Sequence, residues 1–190
     1  MTAELYLGLI SGTSADGIDV ALVRFGDDLQ VVAARTFSYA PELRARALAL
    51  MHAPSMPIDD FGQLDAQIGE AFAQSALALL SEAGVAPSAV TALGSHGQTV
   101  RHRPWLGHPF TLQIGDPHRI AERTGITTVA DFRRRDIAAG GQGAPLVCAL
   151  HAAVFGSPKE SRAILNLGGI ANYTLLAPGQ PVRGFDTGPA

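Results

Sequence analysis

The sequence predicts an α/β fold in which helices flank a mixed β-sheet. Three observations support this prediction: three short apolar segments separated by turns open the chain, a strongly periodic helical pattern follows, and strands and helices alternate after it. A meander implies antiparallel pairing and alternating elements imply parallel pairing, so one sheet should contain both. Charged residues make up only 16% of the 190 residues, and hydrophobic residues 47%, which excludes a disordered polyelectrolyte.

The first three strands are predicted from short apolar runs bounded by Gly, Ser and Asp. They cover residues 5–10, 19–25 and 30–37, with turns at 11–17 and 26–28. Because both connections are short, we expect antiparallel hairpins.

Two helices are predicted next. The first covers residues 42–51, with Pro41 at a tolerated first-turn position. The second is indicated by apolar residues that recur at intervals of three or four. These are Phe61, Leu64, Ile68, Phe72, Ala76, Leu79 and Leu80. We expect Asp59 or Asp60 to cap its start and Gly84 to end it.

Strands and helices alternate beyond residue 90. Strands are predicted at 90–95, 110–114, 126–130, 162–167, 172–176 and 182–185, and helices at 116–124 and 144–155. The strand pattern restarts after a linker that contains Ser157 and Pro158. We therefore expect one lobe at 1–158 and the opening strands of a truncated second lobe at 159–190.

Composition restricts the compartment and the partners. The formal charge of −3 indicates no nucleic-acid partner. The single cysteine, Cys148, excludes an internal disulfide, a zinc ribbon and an iron–sulfur cluster. The sequence contains no uninterrupted apolar run of about 18 residues and no basic leader, so we expect a cytoplasmic protein without a membrane partner.

A loop rich in Gly, Ser and Thr follows the first strand. It comprises Gly12, Thr13, Ser14, Ala15, Asp16, Gly17, Ile18 and Asp19. Backbone N–H groups and hydroxyls in such a loop can surround phosphate oxygens, and Asp16 or Asp19 could hold magnesium. The lysine of a Walker P-loop is absent, as are the dinucleotide fingerprint and the nucleophile elbow. The alternative interpretation is a hairpin turn that needs Asp-Gly geometry.

A second glycine turn occurs at Gly168 and Gly169, between the strands at 162–167 and 172–176. By itself it is equally well explained as a glycine hairpin. Two such loops, each opening a lobe, would grip a nucleotide phosphate chain from both sides of a cleft.

Three further segments carry polar groups next to predicted strands. Ser95 ends the strand at 90–95, and His96 and Gln98 follow it. Arg134 and Arg135 follow the strand at 126–130, and Asp186 follows the last strand. Histidine could contact a sugar hydroxyl, arginine binds carboxylate or phosphate, and an aspartate before a turn suits a general base. A structural histidine, a solvated charge run and an ordinary turn are the alternatives.

Taken in order, these segments resemble the anhydro-N-acetylmuramic acid kinase family, which belongs to the sugar kinase/Hsp70/actin superfamily. The matching stretches are GLISGTSADGIDVAL, GSHGQTVRHRP, TLQIGDP, TGITTVADFRRRDIAAGGQGAPLV, RAILNLGGIANYTLL and GFDTGP. The resemblance implies two RNase H-like lobes that enclose ATP and Mg²⁺. This sequence departs from the family pattern at Ala15, Cys148 and Ala190.

The resemblance also implies a reaction and roles for residues. The 1,6-anhydro bond of 1,6-anhydro-N-acetylmuramic acid is cleaved by water while O6 is phosphorylated by ATP. Asp186 is then the base, and the loop from Gly12 to Asp19 binds ATP phosphates, with Asp16 helping magnesium. Arg134 and Arg135 face the sugar carboxylate or the phosphate, and Ser95, His96 and Gln98 line the sugar pocket.

The partners implied are the small sugar and ATP, and a homodimer is the candidate assembly for the full-length protein. We expect the 190-residue chain alone to be nearly inactive. The alternative is a non-catalytic, half-length sugar-binding module or partner chain. A different sugar kinase of the superfamily is disfavoured by the stretches GSHGQT and ADFRRRD.

Overall fold

A computed structural model describes residues 4–188 and confirms the α/β class. The elements are β1 (Glu4–Ser11), β2 (Ile18–Phe25), β3 (Leu29–Phe37), α1 (Pro41–His52), α2 (Ile58–Glu82), β4 (Val90–Arg103), β5 (Phe110–Ile114), α3 (Pro117–Thr124), β6 (Thr128–Ala130), α4 (Phe132–Ala138), α5 (Cys148–Phe155), β7 (Arg162–Asn166), β8 (Ala171–Leu176) and β9 (Arg183–Gly188). A 3₁₀ turn at Pro87–Ala89 precedes β4.

The larger sheet is mixed, as the sequence predicts. Strands β1, β2 and β3 form the antiparallel meander, and β4 lies parallel to β1 on the other side. The order is β3-β2-β1-β4-β5, with β6 also paired to β4 in parallel. A meander followed by parallel strands on the β1 side is the arrangement of an RNase H-like lobe, so the predicted fold is confirmed.

Helix α2 supplies much of the core of this sheet. Its apolar stripe is buried, and Leu64, Ile68 and Phe72 are fully enclosed. The helix ends in a Schellman motif at Gly84, which has φ +65°, as the sequence predicts. At the other end, the prediction of an aspartate cap is wrong. The N-cap is Pro57, and Asp59 and Asp60 lie inside the first turn, where negative charge favours the helix dipole.

Strand β4 is much longer than the predicted segment 90–95. Its first half pairs with β1 and its second half pairs with β5, with the change of partner at Gln98. The prediction that the strand ends at residue 95, before His96, Gly97 and Gln98, is therefore wrong. Glycine and polar residues suggest a loop, but two successive strand partners supply the backbone hydrogen bonds that keep the segment extended.

Two further differences from prediction concern helices. Helix α5 begins at Cys148 rather than at residue 144, and the Cys148 thiol donates a hydrogen bond to the carbonyl of Pro145 at 3.6 Å. Helix α4 is not predicted, because it has seven residues and no apolar periodicity.

The described residues divide into two compact units. The first contains the chain up to Arg103 together with Phe110–Phe132, and the second contains Pro104–Pro109 and the chain from Arg133 onward. The second unit carries the antiparallel sheet β7-β8-β9, in which β8 is central. The predicted lobe boundary at 158/159 stays a prediction. None of the helices found between residues 4 and 188 has the length and apolar character needed to cross a bilayer.

Tyr39, which follows β3, gives a prediction for alkaline stability. Burial raises its pKa to about 12, and the Ser11 hydroxyl opposes part of that rise. The folded state therefore keeps the phenol neutral over a wider pH range than the unfolded state does. The resulting contribution to the unfolding free energy is complete below the ordinary pKa of 10.0 and is lost as the pH rises towards 12. We expect the unfolding free energy of the Tyr39→Phe variant to fall less than that of the wild type across this window. Urea unfolding at several pH values tests this, and coincident pH profiles would refute it.

Candidate functional site

The Gly/Ser/Thr loop joins β1 to β2 and is closed by hydrogen bonds to its carbonyl oxygens. The Ser11 hydroxyl donates to the carbonyl of Gly17 at 2.8 Å. The Gly12 carbonyl accepts from the backbone N–H of Ala15 at 3.0 Å and from Nε2 of Gln98 at 3.0 Å. The loop therefore has a defined shape before any ligand binds.

Helix α1 contributes a cation to the same loop. Arg44 donates from Nε to the carbonyl of Ala15 at 2.9 Å, and from a terminal nitrogen to the carbonyl of Ser14 at 3.4 Å. The same guanidinium contacts Oδ1 of Asp16 at 3.0 Å. Hydrogen bonds from Ser14 and then from Arg44 lower the pKa of Asp16, so its carboxylate is held in the ionised form.

Two small residues fit the loop tightly against its surroundings. Ala15 is fully buried at φ +50°, a conformation that L-residues seldom adopt. A Cβ added to Gly17 would lie 2.7 Å from Cγ2 of Thr36 and 2.8 Å from the carbonyl oxygen of Phe37. By contrast, Gly12, Thr13, Ser14 and Asp16 are exposed. The loop thus presents its hydroxyls and its carboxylate to solvent.

The last two residues of the predicted phosphate motif belong to β2 rather than to the loop. Ile18 is 1% exposed and packs into the core, so its side chain does not reach a ligand. Asp19 is exposed, and its Oδ1 accepts a hydrogen bond from the Thr36 hydroxyl at 2.5 Å. Asp19 lines a cavity of about 790 Å³ against the sheet, together with Gly8, Ile10, Arg35, Gly94 and Phe132 among others.

The residues predicted to line a sugar pocket have different environments. Gln98 is fully buried, and it contacts the loop through Gly12. Ser95 is 2% exposed, and neither its hydroxyl nor Oε1 of Gln98 has a hydrogen-bond partner within residues 4–188. His96 is half-buried with Nδ1 2.9 Å from the Gly97 carbonyl, which requires the hydrogen to be on Nδ1.

Helix α4 holds the glycine-rich segment that follows it. Arg133 donates to the carbonyl of Gly143 at 2.6 Å, and the backbone N–H of Gly143 donates to Oδ2 of Asp136 at 2.7 Å. Arg134 and Arg135, the two arginines predicted to bind substrate, are exposed on the same helix. The arginine run therefore divides into one residue that supports the segment and two that face solvent.

Asp186 lies on β9, opposite Asn172 of β8, and is exposed. The Thr187 hydroxyl donates to the carbonyl of Ala171 at 3.0 Å and fastens this end of the strand pair. Burial lowers the pKa of Arg133, and the negative charge of Asp186 opposes that shift. The proposed base is thus within electrostatic range of a partly buried guanidinium.

Gly168 and Gly169 lie in the connection between β7 and β8, as predicted, and both are exposed.

In the first unit the structure brings Gln98 to the Gly12–Gly17 loop, and in the second unit it brings Arg133 near Asp186. No motif predicts Arg44 or Thr36, because each approaches the site from an element distant in the sequence. Arg133 belongs to the predicted arginine run, but sequence does not distinguish it from its neighbours.

The acidic groups present suit a hydrated magnesium ion rather than a protein cage. Within residues 4–188 no cluster of three or more His, Cys, Asp or Glu side chains could hold a metal. Magnesium usually keeps several waters and binds through one or two carboxylates plus substrate phosphates. Arg44 contacts Oδ1 of Asp16, and the Asp16 side chain, 72% exposed, remains accessible to water or metal. The residues therefore fit magnesium that arrives with a nucleotide.

Comparisons with known proteins match one family over nearly the whole chain. Residues 4–190 match the sequence pattern of the family described as anhydro-N-acetylmuramic acid kinase. A protein of that name from Xanthomonas axonopodis pv. citri is 60% identical over 99% of this chain and 52% of its own length. One from Photobacterium profundum is 47% identical over 100% of this chain and 51% of its own length.

Among solved structures, a reductive activator for a corrinoid, iron-sulfur protein aligns with 98% of this chain and 31% of its own, at 15% identity and a TM-score of 0.47. The chain spans about half the length of the curated relatives it matches.

Proposed function

Because this chain belongs to the anhydro-N-acetylmuramic acid kinase family, we propose that it carries the nucleotide-phosphate loop and the base of an enzyme that opens and phosphorylates an anhydro sugar. The family and the names of its members support a carbohydrate kinase. The observation that carries the proposal is the family match over residues 4–190, which includes every site segment described above.

The proposed reaction joins a hydrolysis to a phosphoryl transfer. Water attacks C1 of 1,6-anhydro-N-acetylmuramic acid, the bond between C1 and O6 breaks, and O6 takes the γ-phosphoryl group of ATP. The products are N-acetylmuramic acid 6-phosphate and ADP, and the water proton passes to a base. Because ATP is the phosphoryl donor, we assign the reaction to the cytoplasm and to the reuse of cell-wall sugars.

Asp186 is the proposed base for the attacking water. Its position on a paired strand, fastened by Thr187, provides a fixed carboxylate with an exposed face. A base acts only when it is ionised and within hydrogen-bond reach of the proton that it removes.

The loop Gly12–Gly17 is the proposed site for ATP phosphates. A planar trans peptide directs its C=O and the following N–H to opposite sides. The carbonyls of Gly12 and Ala15 are held by Gln98 and Arg44, so the next N–H groups along the chain point away from those side chains. Such oriented N–H groups form an anion-binding concavity.

Asp16 is the proposed contact for magnesium, which when bound neutralises charge on the transferring phosphoryl group. Arg134 and Arg135 are exposed on α4 and are proposed to meet the lactyl carboxylate of the sugar or a phosphate. Gly168 and Gly169 are proposed to contact the nucleotide. His96, which is half-buried, is proposed to face the sugar. Ser95 and Gln98 are both buried, so neither side chain is exposed to a ligand, and Gln98 bonds to the loop.

The experiment that tests this function compares three acceptors with ATP and Mg²⁺: the anhydro sugar, N-acetylglucosamine and glucose. It uses the protein at the length that its source cells make, established by immunoblot and intact mass. We expect ADP release to depend on the anhydro sugar only. Equal release with glucose would point to another sugar kinase, and saturable sugar binding without ADP release would favour a binding module.

The 190-residue chain by itself is expected to be nearly inactive, because it matches only about half of each relative. Assaying it beside a relative of full length, such as the Xanthomonas protein, tests this directly. Sugar-dependent ADP release at a comparable rate would refute the expectation.

A further inference from the structure

Helix α1 takes part in the candidate site although no motif lies in it. Arg44 is in the second turn of α1, about 30 residues beyond the loop that it contacts. Its guanidinium contacts Ser14, Ala15 and Asp16, and no contact in the structure gives it another partner among residues 4–188. The polar contacts of the Arg44 guanidinium are therefore all with the loop.

Each contact made by Arg44 restricts the conformation of one part of the loop. The bond to the Ala15 carbonyl fixes the peptide that follows a residue at φ +50°, a conformation that costs free energy unless its surroundings hold it. The contact with Oδ1 of Asp16 fixes the direction of the only carboxylate in residues 12–17. The bond to the Ser14 carbonyl is longer, at 3.4 Å, and adds less.

Gln98 holds the other end of the loop from β4. Its amide is fully buried and donates to the Gly12 carbonyl at 3.0 Å. Arg44, from α1, and Gln98, from β4, therefore donate hydrogen bonds to two loop carbonyls that are three residues apart, those of Ala15 and Gly12. Both side chains donate to acceptors of the loop, so neither occupies its N–H groups.

We propose that Arg44 is a positioning residue that preorganises the Gly12–Gly17 loop for the phosphates of ATP and orients Asp16, with Gln98 as its counterpart at Gly12. This inference rests on the proposed function, because it assumes that the loop binds phosphate. A loop already in its binding conformation does not lose ordering free energy on binding, so affinity is higher. Loss of Arg44 weakens nucleotide binding without removing a group that reacts.

The test compares Arg44→Gln and Arg44→Lys with the matched control Arg46→Gln, in the protein at the length that its source cells make. Arg46 lies on the same helix and pairs with Gln67 of α2 instead of the loop. In nucleotide-free protein we expect the amides of residues 13–17 to exchange hydrogen about tenfold faster in Arg44→Gln, because a hydrogen bond to a charged group is lost. The control should leave that exchange unchanged.

Steady-state kinetics provide the second readout. We expect KM for ATP to rise about tenfold in Arg44→Gln with kcat nearly unchanged, the signature of lost uniform binding. Arg44→Lys keeps a cation for Asp16 but loses the second donor, so its KM should lie between those of the wild type and Arg44→Gln. If Arg44→Gln fails to fold, Arg44→Lys still carries the test.

The outcomes separate the two proposals. If the wild-type protein releases no ADP with the anhydro sugar, the proposed function fails, and loop exchange alone then decides whether Arg44 orders the loop. If the wild type is active and Arg44→Gln matches Arg46→Gln in both exchange and KM, the positioning role of Arg44 is wrong. A fall in kcat at unchanged KM would also overturn it.

Discussion

Replacing Asp186 by Asn is expected to lower kcat for sugar-dependent ADP release by about 10²–10⁴-fold, the contribution typical of a general base. The amide has nearly the same shape as the carboxylate but cannot accept the proton from water. Asp186 is exposed on β9, so the substitution leaves no cavity and should leave the fold intact.

The measurement is steady-state turnover with the anhydro sugar, combined with titration of a fluorescent ADP analogue. Nucleotide affinity should be nearly unchanged, because Asp186 is not part of the loop Gly12–Gly17 that is proposed to bind phosphate. Asp28→Asn is the matched control, since Asp28 is an exposed carboxylate between β2 and β3. Near-normal turnover by the Asp186 variant would remove Asp186 from the role of base.

Replacing Gly97 by Ala is expected to cost about 3 kcal/mol of unfolding free energy or more, from backbone strain and steric overlap together. Gly97 has φ +75°, where a side chain is strained, and an added Cβ would lie 2.5 Å from the carbonyl oxygen of Ile114. Relief requires β5 to move away from β4. The adjacent Gln98 would then be displaced from Gly12, so nucleotide binding should weaken as well.

Urea unfolding and thermal unfolding measure this cost, which corresponds to a fall in Tm of about 6–12 °C for a domain of this size. Gly62→Ala is the matched control, because its Cβ would meet nothing within 4 Å and it lies in α2. Alanine is the better helix former, so the control should be neutral or stabilising by up to about 1 kcal/mol. Equal midpoints for the two variants would contradict the close approach of β4 and β5.

Local patterns in the sequence predict most of this fold. Apolar alternation and short turns identify β1 to β3, and the three-to-four spacing from Phe61 to Leu80 identifies α2. The predictions of these elements are correct because the spacing of their apolar residues indicates which face is buried. Strand β4 shows the limit, since its extension through Gly97 depends on pairing with β5, which adjacent residues do not encode.

The candidate site is predictable where a motif is contiguous and not where distant elements converge. The loop Gly12–Gly17 follows from a run of glycine, serine and threonine between strands. Asp186 is predicted just after the last strand, whereas the structure places it within β9, paired with Asn172. Arg44 reaches the loop from α1 and Gln98 from β4, so their roles depend on tertiary contacts. Arg133 is half-buried and donates to Gly143 whereas Arg134 is exposed, a difference that the sequence does not show.

In the proposed reaction, water opens the anhydro ring at C1 while O6 receives the phosphoryl group. Turnover in ¹⁸O-labelled water with ATP and the anhydro sugar, analysed by mass spectrometry of the products, tests it most directly. We predict one ¹⁸O on C1 of the sugar 6-phosphate and none in its phosphate, after correction with unlabelled product incubated in the same water. Label in inorganic phosphate, or a phosphorylated sugar with its anhydro ring intact, would contradict the account.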